Sequence, residues 1–459
     1  MHRILSVNQF RTCEQGSSIA EEELISRAGA AVVQELVSRF PKSPVLVLCG
    51  PGNNGKDGAV IANLLRDKGW SVRLLCYRSN IPDGFALEPD GFVLEEPLII
   101  DSIFGIGLSR PLEEDLSSIV QQINASGKFV VSVDIPTGIN SDTGEVMGAA
   151  IKADLTVTFS CLKLGHVISP GRQHSGVVCV KDIGLEVCDS TVSLNSPALW
   201  EKSMARLSYK SHKYNRGYAA ICSLGIRSIG AVKLASLAAL RTGPGAVAVA
   251  CEEDEIVLYA STLLSVMYKA HEEIIRDEKV TSILIGPGGE LSDASIKNKV
   301  LNVLESGDRG YVLDAGALSV FKDCSDILFK SISKKRVVLT PHEGEFERLF
   351  PGLKGTVVER ARAAATISNA IVVLKGHDTV IASPEGRVVV NNNAPCALAT
   401  IGSGDVLAGM ITGLIATGMN EFDAACCAVW VHGECGKKYR LGLIAEDIIS
   451  KISEVLSAL

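Results

Sequence analysis

Short runs of apolar, β-branched residues alternate with stretches of helical periodicity along the whole chain, which predicts α/β architecture on mostly parallel sheets. In the first half the spacing predicts strands over Pro44–Cys49, Val72–Tyr77, Pro97–Ile100, Phe129–Val133 and Leu155–Phe159. Helices are predicted over Ala59–Lys68 and Leu112–Asn124, each followed by a terminating glycine (Gly69, Gly127). An earlier helix, Glu21–Ser38, is placed to pack across the sheet. The alternation breaks down over the polar stretch Val187–Arg206, which carries Pro197 and Trp200. A domain boundary there divides the chain into 1–203 and 204–459.

A second series follows, with strands at Tyr218–Cys222, Ala246–Ala250, Ser282–Ile285, Tyr311–Leu313, Arg336–Leu339 and Ala370–Leu374. Helices are expected over Ala231–Arg241, Glu359–Ser368, Asp405–Thr417, Asp423–Tyr439 and from Glu446 onward, with a hairpin at Thr379–Asn391. The halves show no internal repeat, so two α/β layers of different topology are expected.

Composition narrows the class. The 459 residues are 47% hydrophobic and 21% charged, ordinary for globular domains and too apolar for extended disorder. A formal charge of −7 disfavours nucleic acid as a partner. No apolar run is long enough to cross a bilayer. Polar residues follow Met1–Asn8 where a signal peptide would have its apolar core, so a cytoplasmic protein is expected. The 13 cysteines include no Cys-x-x-Cys pair, and Cys49, Cys76, Cys179 and Cys222 sit in apolar stretches. Free thiols in a reducing compartment are the expectation.

Candidate chemistry begins at Gly50-Pro51-Gly52-Asn53-Asn54-Gly55-Lys56-Asp57-Gly58, between a buried strand and a helix. Glycines there let the backbone approach a ligand, and a helix N-terminus supplies free N–H groups. Gly50 to Lys56 has P-loop spacing, but Asp57 stands where a magnesium-binding hydroxyl is required. Two more strand ends, Asp101-Ser102-Ile103-Phe104-Gly105-Ile106-Gly107 and Asp134-Ile135-Pro136-Thr137-Gly138, should converge on this loop.

These three motifs together resemble the epimerase domain of bifunctional NAD(P)H-hydrate repair enzymes, over most of residues 1–185. The resemblance implies a Rossmann-like three-layer domain that interconverts the two epimers of hydrated NADH or NADPH. It implies cofactor contacts from Asn53, Asn54, Gly55, Lys56 and Asp57 and from Gly105, Ile106, Gly107, Leu108, Ser109, Arg110 and Pro111. Asn54, Asp101 and Thr137 would hold a potassium ion, for which their hard oxygens are suited. Asp134 would contact the hydrate as the acid/base group, with Lys163 nearby.

In the second half, Gly402-Ser403-Gly404-Asp405 opens an apolar helix. Such a turn makes an anion hole for a migrating phosphoryl group, and Asp405 beside it can take a hydroxyl proton. Lys375-Gly376-His377-Asp378-Thr379, Thr340-Pro341-His342-Glu343-Gly344-Glu345 and Gly286-Pro287-Gly288-Gly289 close neighbouring strands. No His-Glu-x-x-His spacing supports a metalloprotease.

These segments resemble the dehydratase domain of the same family, a ribokinase-like α/β fold, over about residues 205–459. The resemblance implies that ADP, with Mg2+, phosphorylates the hydrate before phosphate is expelled. Lys375, Gly376, His377, Asp378, Thr379 and Gly404 would contact the nucleotide. Ala231, Gly288, His342 and Asp405 would contact the hydrate, with Asp405 as base. A homo-oligomer acting on small molecules is expected.

The chain departs from the family pattern at Lys56, which replaces a glycine, at Gly316, which replaces an aspartate, and at Ile401, which replaces a glycine. The loop of residues 223–230 also differs, and Ser403 replaces a threonine while keeping its hydroxyl. Were positive φ needed at 56, lysine would cost roughly 1 kcal/mol or more. Gly316 removes a metal or water ligand, and Ile401 is expected to narrow the anion loop. A ribokinase-like small-molecule kinase and a non-catalytic nucleotide-binding scaffold are the alternative readings.

Overall fold

The computed structural model describes residues 3–79, 81–87, 92–205, 209, 212–213, 215–288 and 294–459. Arg206 and Gly289, named in the sequence patterns above, lie outside them. The chain divides into two compact units between Val192 and Ser193.

The first unit is built on seven strands, β1 (Val45–Cys49), β2 (Val72–Cys76), β3 (Phe85–Ala86), β4 (Leu98–Ser102), β5 (Phe129–Val133), β6 (Leu155–Phe159) and β7 (Val177–Lys181). They run parallel in the order β3-β2-β1-β4-β5-β6-β7. The order reverses between β1 and β4, which leaves a crevice beyond their carboxyl ends. All five residues of β1 are buried, as a parallel strand covered on both faces requires. Helix Glu21–Arg39 packs against helix Asn53–Asp67, joining the core of Val32, Leu36, Val47, Ile61 and Leu65.

The second unit is built on a ten-stranded sheet, whose first strand starts at the boundary residue: β8 (Val192–Leu194), β9 (Tyr218–Cys222), β10 (Ala246–Ala250), β11 (Met267–Lys269), β12 (Ser282–Ile285), β13 (Gly310–Leu313), β14 (Arg336–Leu339), β15 (Ile371–Leu374), β16 (Thr379–Ala382) and β17 (Val388–Asn391). Their order is β11-β10-β9-β12-β13-β14-β15-β16-β17-β8. Pairing is parallel from β11 to β15, and β15-β16-β17 form an antiparallel meander. Here the switch point lies between β9 and β12.

Helix Ser403–Ala416 packs closely on helix Ile229–Arg241. A Cβ at Gly409 would lie 2.2 Å from the Ala235 carbonyl oxygen, so only glycine permits this approach. The packing fixes the helix whose N-terminus carries Asp405.

Several boundaries differ from expectation. The segment 193–203, expected with the first domain, packs with the second unit. Trp200 is fully buried in that core and donates from Nε1 to Asn195 Oδ1 at 3.1 Å. The first glycine loop is shorter than expected, because helix Asn53–Asp67 begins six residues before Ala59 and absorbs two-thirds of the motif. Strand β4 runs on through Asp101 to Ser102. Helix Val7–Gly16 and strands β7, β8 and β11 had no counterpart in the sequence pattern. Among the described residues no helix is long and apolar enough to cross a membrane. All 13 cysteines are free. Burial pushes the Cys49 and Cys222 thiols up to about 12, which keeps them unreactive.

Candidate active sites

At the first switch point the loops after β1 and β4 are pressed together. A Cβ at Gly50 would lie 1.9 Å from the Ile103 carbonyl oxygen, and one at Gly55 would lie 1.9 Å from that of Gly50. Glycine at both positions lets the turn fold tightly enough to open a cavity of about 680 Å³. That volume falls within the roughly 300–1,000 Å³ of small-ligand sites.

Asn53, Asn54, Asp57, Gly105, Ile106, Gly107, Leu108 and Asp134 all line this cavity, so the three motifs do converge. Gly55, Lys56, Ser109, Arg110 and Pro111 are not part of its wall. Lys56 stands in regular helix, without the positive φ its departure from glycine raised as a concern. Its ammonium meets Glu21 at 3.2 Å on the surface. Ser109, Arg110 and Pro111 are exposed.

Asp134 stands just past β5 with φ of 66°, a left-handed conformation that is costly for a residue with a side chain. Contacts on every side hold it there. Lys163 Nζ lies 2.7 Å from its Oδ1, Thr158 donates to the same oxygen at 3.0 Å, and the His166 ring meets its backbone carbonyl at 2.8 Å. The Lys163 side chain is fully buried, with its ammonium 4.4 Å from the centroid of Phe10. Burial drives the Asp134 carboxyl upward, but the adjacent Lys163 outweighs it and holds the group below the usual carboxylate range. His166 is pushed down to about 4 by burial and then by Lys163, so it stays neutral.

Two further carboxyls share the cavity. Burial first and the Asp134 charge second raise Glu14, and the same two causes raise Asp57 well above its ordinary value. Glu14 comes from helix Val7–Gly16, which also brings Phe10, Arg11 and Gln15 to the wall. Motif reading missed this helix. The available signal was the Ser6-x-x-Gln9 capping box, whose reciprocal hydrogen bonds form at 3.3 and 3.0 Å.

Asp101 is fully buried beside Thr137. Thr137 donates from its hydroxyl at 2.6 Å and its backbone N–H at 2.9 Å, and Ser132 donates at 2.8 Å. Thr137 in turn accepts from the N–H of Phe104, a cavity residue, at 3.0 Å. Asn54 is only 8% exposed, yet among the described residues neither amide atom has a hydrogen-bond partner. An unsatisfied buried amide in a cavity wall calls for a ligand.

At the second switch point, Gly402 takes φ of 83° and opens helix Ser403–Ala416. The amides of Gly404 and Asp405 lie in the first turn, where no preceding helix carbonyl is available to them. The Asp405 carboxylate accepts from the Gly288 N–H. A Cβ on Gly288 would be 2.5 Å from that of Ala231, and one on Gly404 would be 3.4 Å from Lys375 Nζ. Ala231, Gly288, Lys375, Gly404 and Asp405 are thus one constellation.

His342 joins it through the bridge between His342 and Lys375, and its Nδ1 caps helix Glu343–Leu349 by accepting from Gly344 at 3.0 Å. Gly376 and Thr379 close the turn after β15 on each other, and His377 is exposed. The Ile401 side chain is 95% exposed and so is not packed into the anion loop.

Lys375 binds Asp314, at 2.7 Å, and Thr340 donates to the same carboxylate oxygen at 2.8 Å. Burial, followed by the charge of Asp314, raises Asp405 to about 7, while Lys375 opposes the rise. His432, from helix Glu421–Gly436, meets the Ser403 hydroxyl at 3.1 Å and braces the loop from behind. Sequence reading passed over it, because one histidine on a buried helix face carries no motif.

Comparison with known proteins agrees with this two-site arrangement. The family model described as NAD(P)H-hydrate dehydratase matches residues 225–454. A model for the N-terminus of YjeF-related proteins matches residues 21–85 and 83–165. A bifunctional NAD(P)H-hydrate repair enzyme of Dictyoglomus turgidum is 34% identical, covering 95% of this chain and 94% of its own. Its counterpart in Thermofilum pendens is 32% identical over 98% of this chain and 94% of its own. Among solved structures, the Bacillus subtilis ADP/ATP-dependent NAD(P)H-hydrate dehydratase, co-crystallised with ATP/Mg2+, is 29% identical with a TM-score of 0.52. It covers 59% of this chain and 99% of that one. On this evidence the chain belongs to the family of bifunctional NAD(P)H-hydrate repair enzymes.

Proposed function

We propose that the protein restores hydrated NADH and NADPH, interconverting the R and S hydrates in the first unit and dehydrating the S-hydrate with ADP in the second. The second reaction releases AMP and phosphate. The observation that carries this reading is Asp405, raised to about 7 beside first-turn amides and the Lys375 ammonium. A carboxyl near neutrality is a competent base for a substrate hydroxyl at physiological pH.

At the first site, Asn53, Asn54, Asp57, Gly105, Ile106, Gly107 and Leu108 hold the hydrate, and Asp134 is its acid/base group. The donor set fits a potassium ion: Asn54 has an unpartnered amide oxygen, and Asp101 and Thr137 add hard oxygens. Bound there, the ion would offset the charge of Asp101 and order Asn54 against the ligand.

At the second site, Asp405 takes the proton of the hydrate's hydroxyl as that oxygen attacks the β-phosphorus of ADP and AMP leaves. The C–O bond of the phosphate ester then breaks with its electron pair on that oxygen and phosphate leaves, the ring-nitrogen lone pair forming a C=N bond. Loss of a proton from the neighbouring ring carbon to solvent converts this to the C=C of the reduced nicotinamide. Gly404 and Asp405 N–H groups face the migrating phosphoryl, Lys375 counters its charge, and Ala231, Gly288 and His342 position the hydrate. Gly376, His377, Asp378 and Thr379 form the nucleotide's edge of the site. Magnesium ordinarily arrives on nucleotide phosphates with few protein ligands. Thirteen free thiols support a cytoplasmic setting.

The test is incubation of the full chain with each hydrate, ADP, Mg2+ and K+, following the absorbance of the reduced nicotinamide. Both hydrates should yield it, the R-hydrate after epimerisation. A stable phosphorylated product would instead mark a kinase, and no turnover of either would mark a scaffold.

A further inference from the structure

We propose that Glu14 is a second catalytic carboxyl of the first site, acting with Asp134 as its proton donor in the interconversion of hydrate epimers. The proposal rests on the epimerase reading of that cavity.

Inverting the hydroxyl-bearing carbon through loss and return of water needs two proton-transfer roles, because the C–O bond breaks on one face of the ring and re-forms on the other. Glu14 and Asp134 line one cavity but reach it from different elements, helix Val7–Gly16 and the end of β5. The unpartnered Asn54 amide marks the same cavity as a ligand site: its Cβ and that of a side chain built at Gly105 would be 3.4 Å apart, with Asp134 Oδ2 at 3.3 Å.

In one direction the Glu14 carboxyl gives its proton to the hydroxyl. The C–O bond breaks with its electron pair on oxygen, water leaves, and the ring-nitrogen lone pair forms a C=N bond. Water then adds to the opposite face, the new C–O bond forms, and the surplus proton passes to Asp134. Solvent returns that proton to Glu14, and the reverse reaction exchanges the two roles.

Asp57 also lines the cavity, but it is 8% exposed and fixed within helix Asn53–Asp67. Glu14 is half enclosed by the cavity wall, yet enough of the residue is exposed to give the solvent access that proton return requires. The electrostatics agree: burial and Asp134 raise Glu14, while Lys163 holds Asp134 down, and such divergence separates an acid from a base.

The test is Glu14→Gln in the full chain, with ADP and Mg2+, assayed separately on R- and S-hydrate. Reduced nicotinamide from R-hydrate requires epimerisation, whereas S-hydrate requires only the second unit and so reports on folding. The expected result is a fall in kcat for R-hydrate of about 100-fold with KM within about threefold, and loss of the alkaline limb of the kcat/KM profile. Glu14→Asp should recover a substantial part of the rate. A Glu14→Gln enzyme within about threefold of wild-type kcat, or one changed in KM alone, overturns the proposal. Wild-type enzyme that converts S-hydrate but never R-hydrate overturns the epimerase reading itself, and the proposal with it.

Discussion

Both units set an aspartate near a lysine at the carboxyl ends of a parallel sheet's strands, but they wire the pair differently. In the first, Lys163 touches Asp134 itself at 2.7 Å. In the second, Lys375 touches Asp314 at the same 2.7 Å, and Asp405 receives only the remainder of its field. Asp134 is consequently held ionised, whereas Asp405 rises to about 7. A lysine near a catalytic carboxyl therefore does not set that group's protonation by proximity alone. What decides it is which carboxylate the ammonium contacts, since contact outweighs burial and a shared field does not.

The strongest way to break this comparison is to remove the group it makes catalytic. Asp405→Asn cannot accept a proton, and kcat for dehydration should fall by roughly 10²–10⁴-fold. In the wild type, kcat/KM for S-hydrate should rise with pH through about 7 and level off above it, because the ionised form is the base. A flat profile between pH 5 and 9, roughly two units either side, would remove Asp405 from that role.

Lys163→Met attacks the other wiring. With the ammonium gone, burial is opposed only by the Thr158 hydrogen bond and the weaker influence of His166, so the Asp134 carboxyl should rise. Asp134 lies below its ordinary value when folded, so its contribution to stability is present above the unfolded pKa and is lost as pH falls through the folded one. The variant should forfeit that contribution at neutral pH, losing roughly 3–5 kcal/mol in urea unfolding along with epimerisation. Stability unchanged by Lys163→Met would mean the pair carries no such weight.

A subtler change sharpens the contrast. Asp314→Asn removes the charge that raises Asp405 and frees Lys375 to turn toward it. Both effects act in one direction, so the acid limb of dehydration should move below its wild-type position, by about one pH unit. An upward shift would show that Asp314 does not act through this field.

How much of this was legible in the residues alone follows from burial. Strands β5, β6, β9, β10, β12 and β14 matched their predicted limits, because short, mostly apolar and β-branched runs buried in a parallel sheet admit little else. Helix Val7–Gly16 escaped notice because Phe10 is its one buried residue, too little for periodicity to register. Strand β7 was missed for a related reason, being half-exposed along its length. The motif loops placed Asp134 and Asp405 correctly at strand and helix ends. Motifs could not supply Glu14, His432 or the Lys375–Asp314 contact, which arise between segments far apart in sequence. The concern over Lys56 fell away because residue 56 stands in regular helix, with its ammonium on Glu21 at the surface, and Ile401 is exposed rather than packed into its loop.

The smallest expected effect tests whether burial truly separates the two kinds of ion pair. Lys56 and Glu21 also form a lysine–carboxylate pair at the mouth of the first site, but their side chains are 59% and 63% exposed. Water already solvates both charges, so the pair's net contribution should be no more than about 0.5–1 kcal/mol. In Lys56→Ala, alanine's better helix propensity offsets a few tenths of that. The melting temperature should therefore move by less than about 2 °C, and less still in high salt, where exposed pairs are screened. Lys163→Met, with its buried partner, should be far less salt-sensitive. If both variants lost similar stability and responded alike to salt, enclosure would not be what distinguishes the Asp134 pair, and the contrast with Asp405 would need another cause.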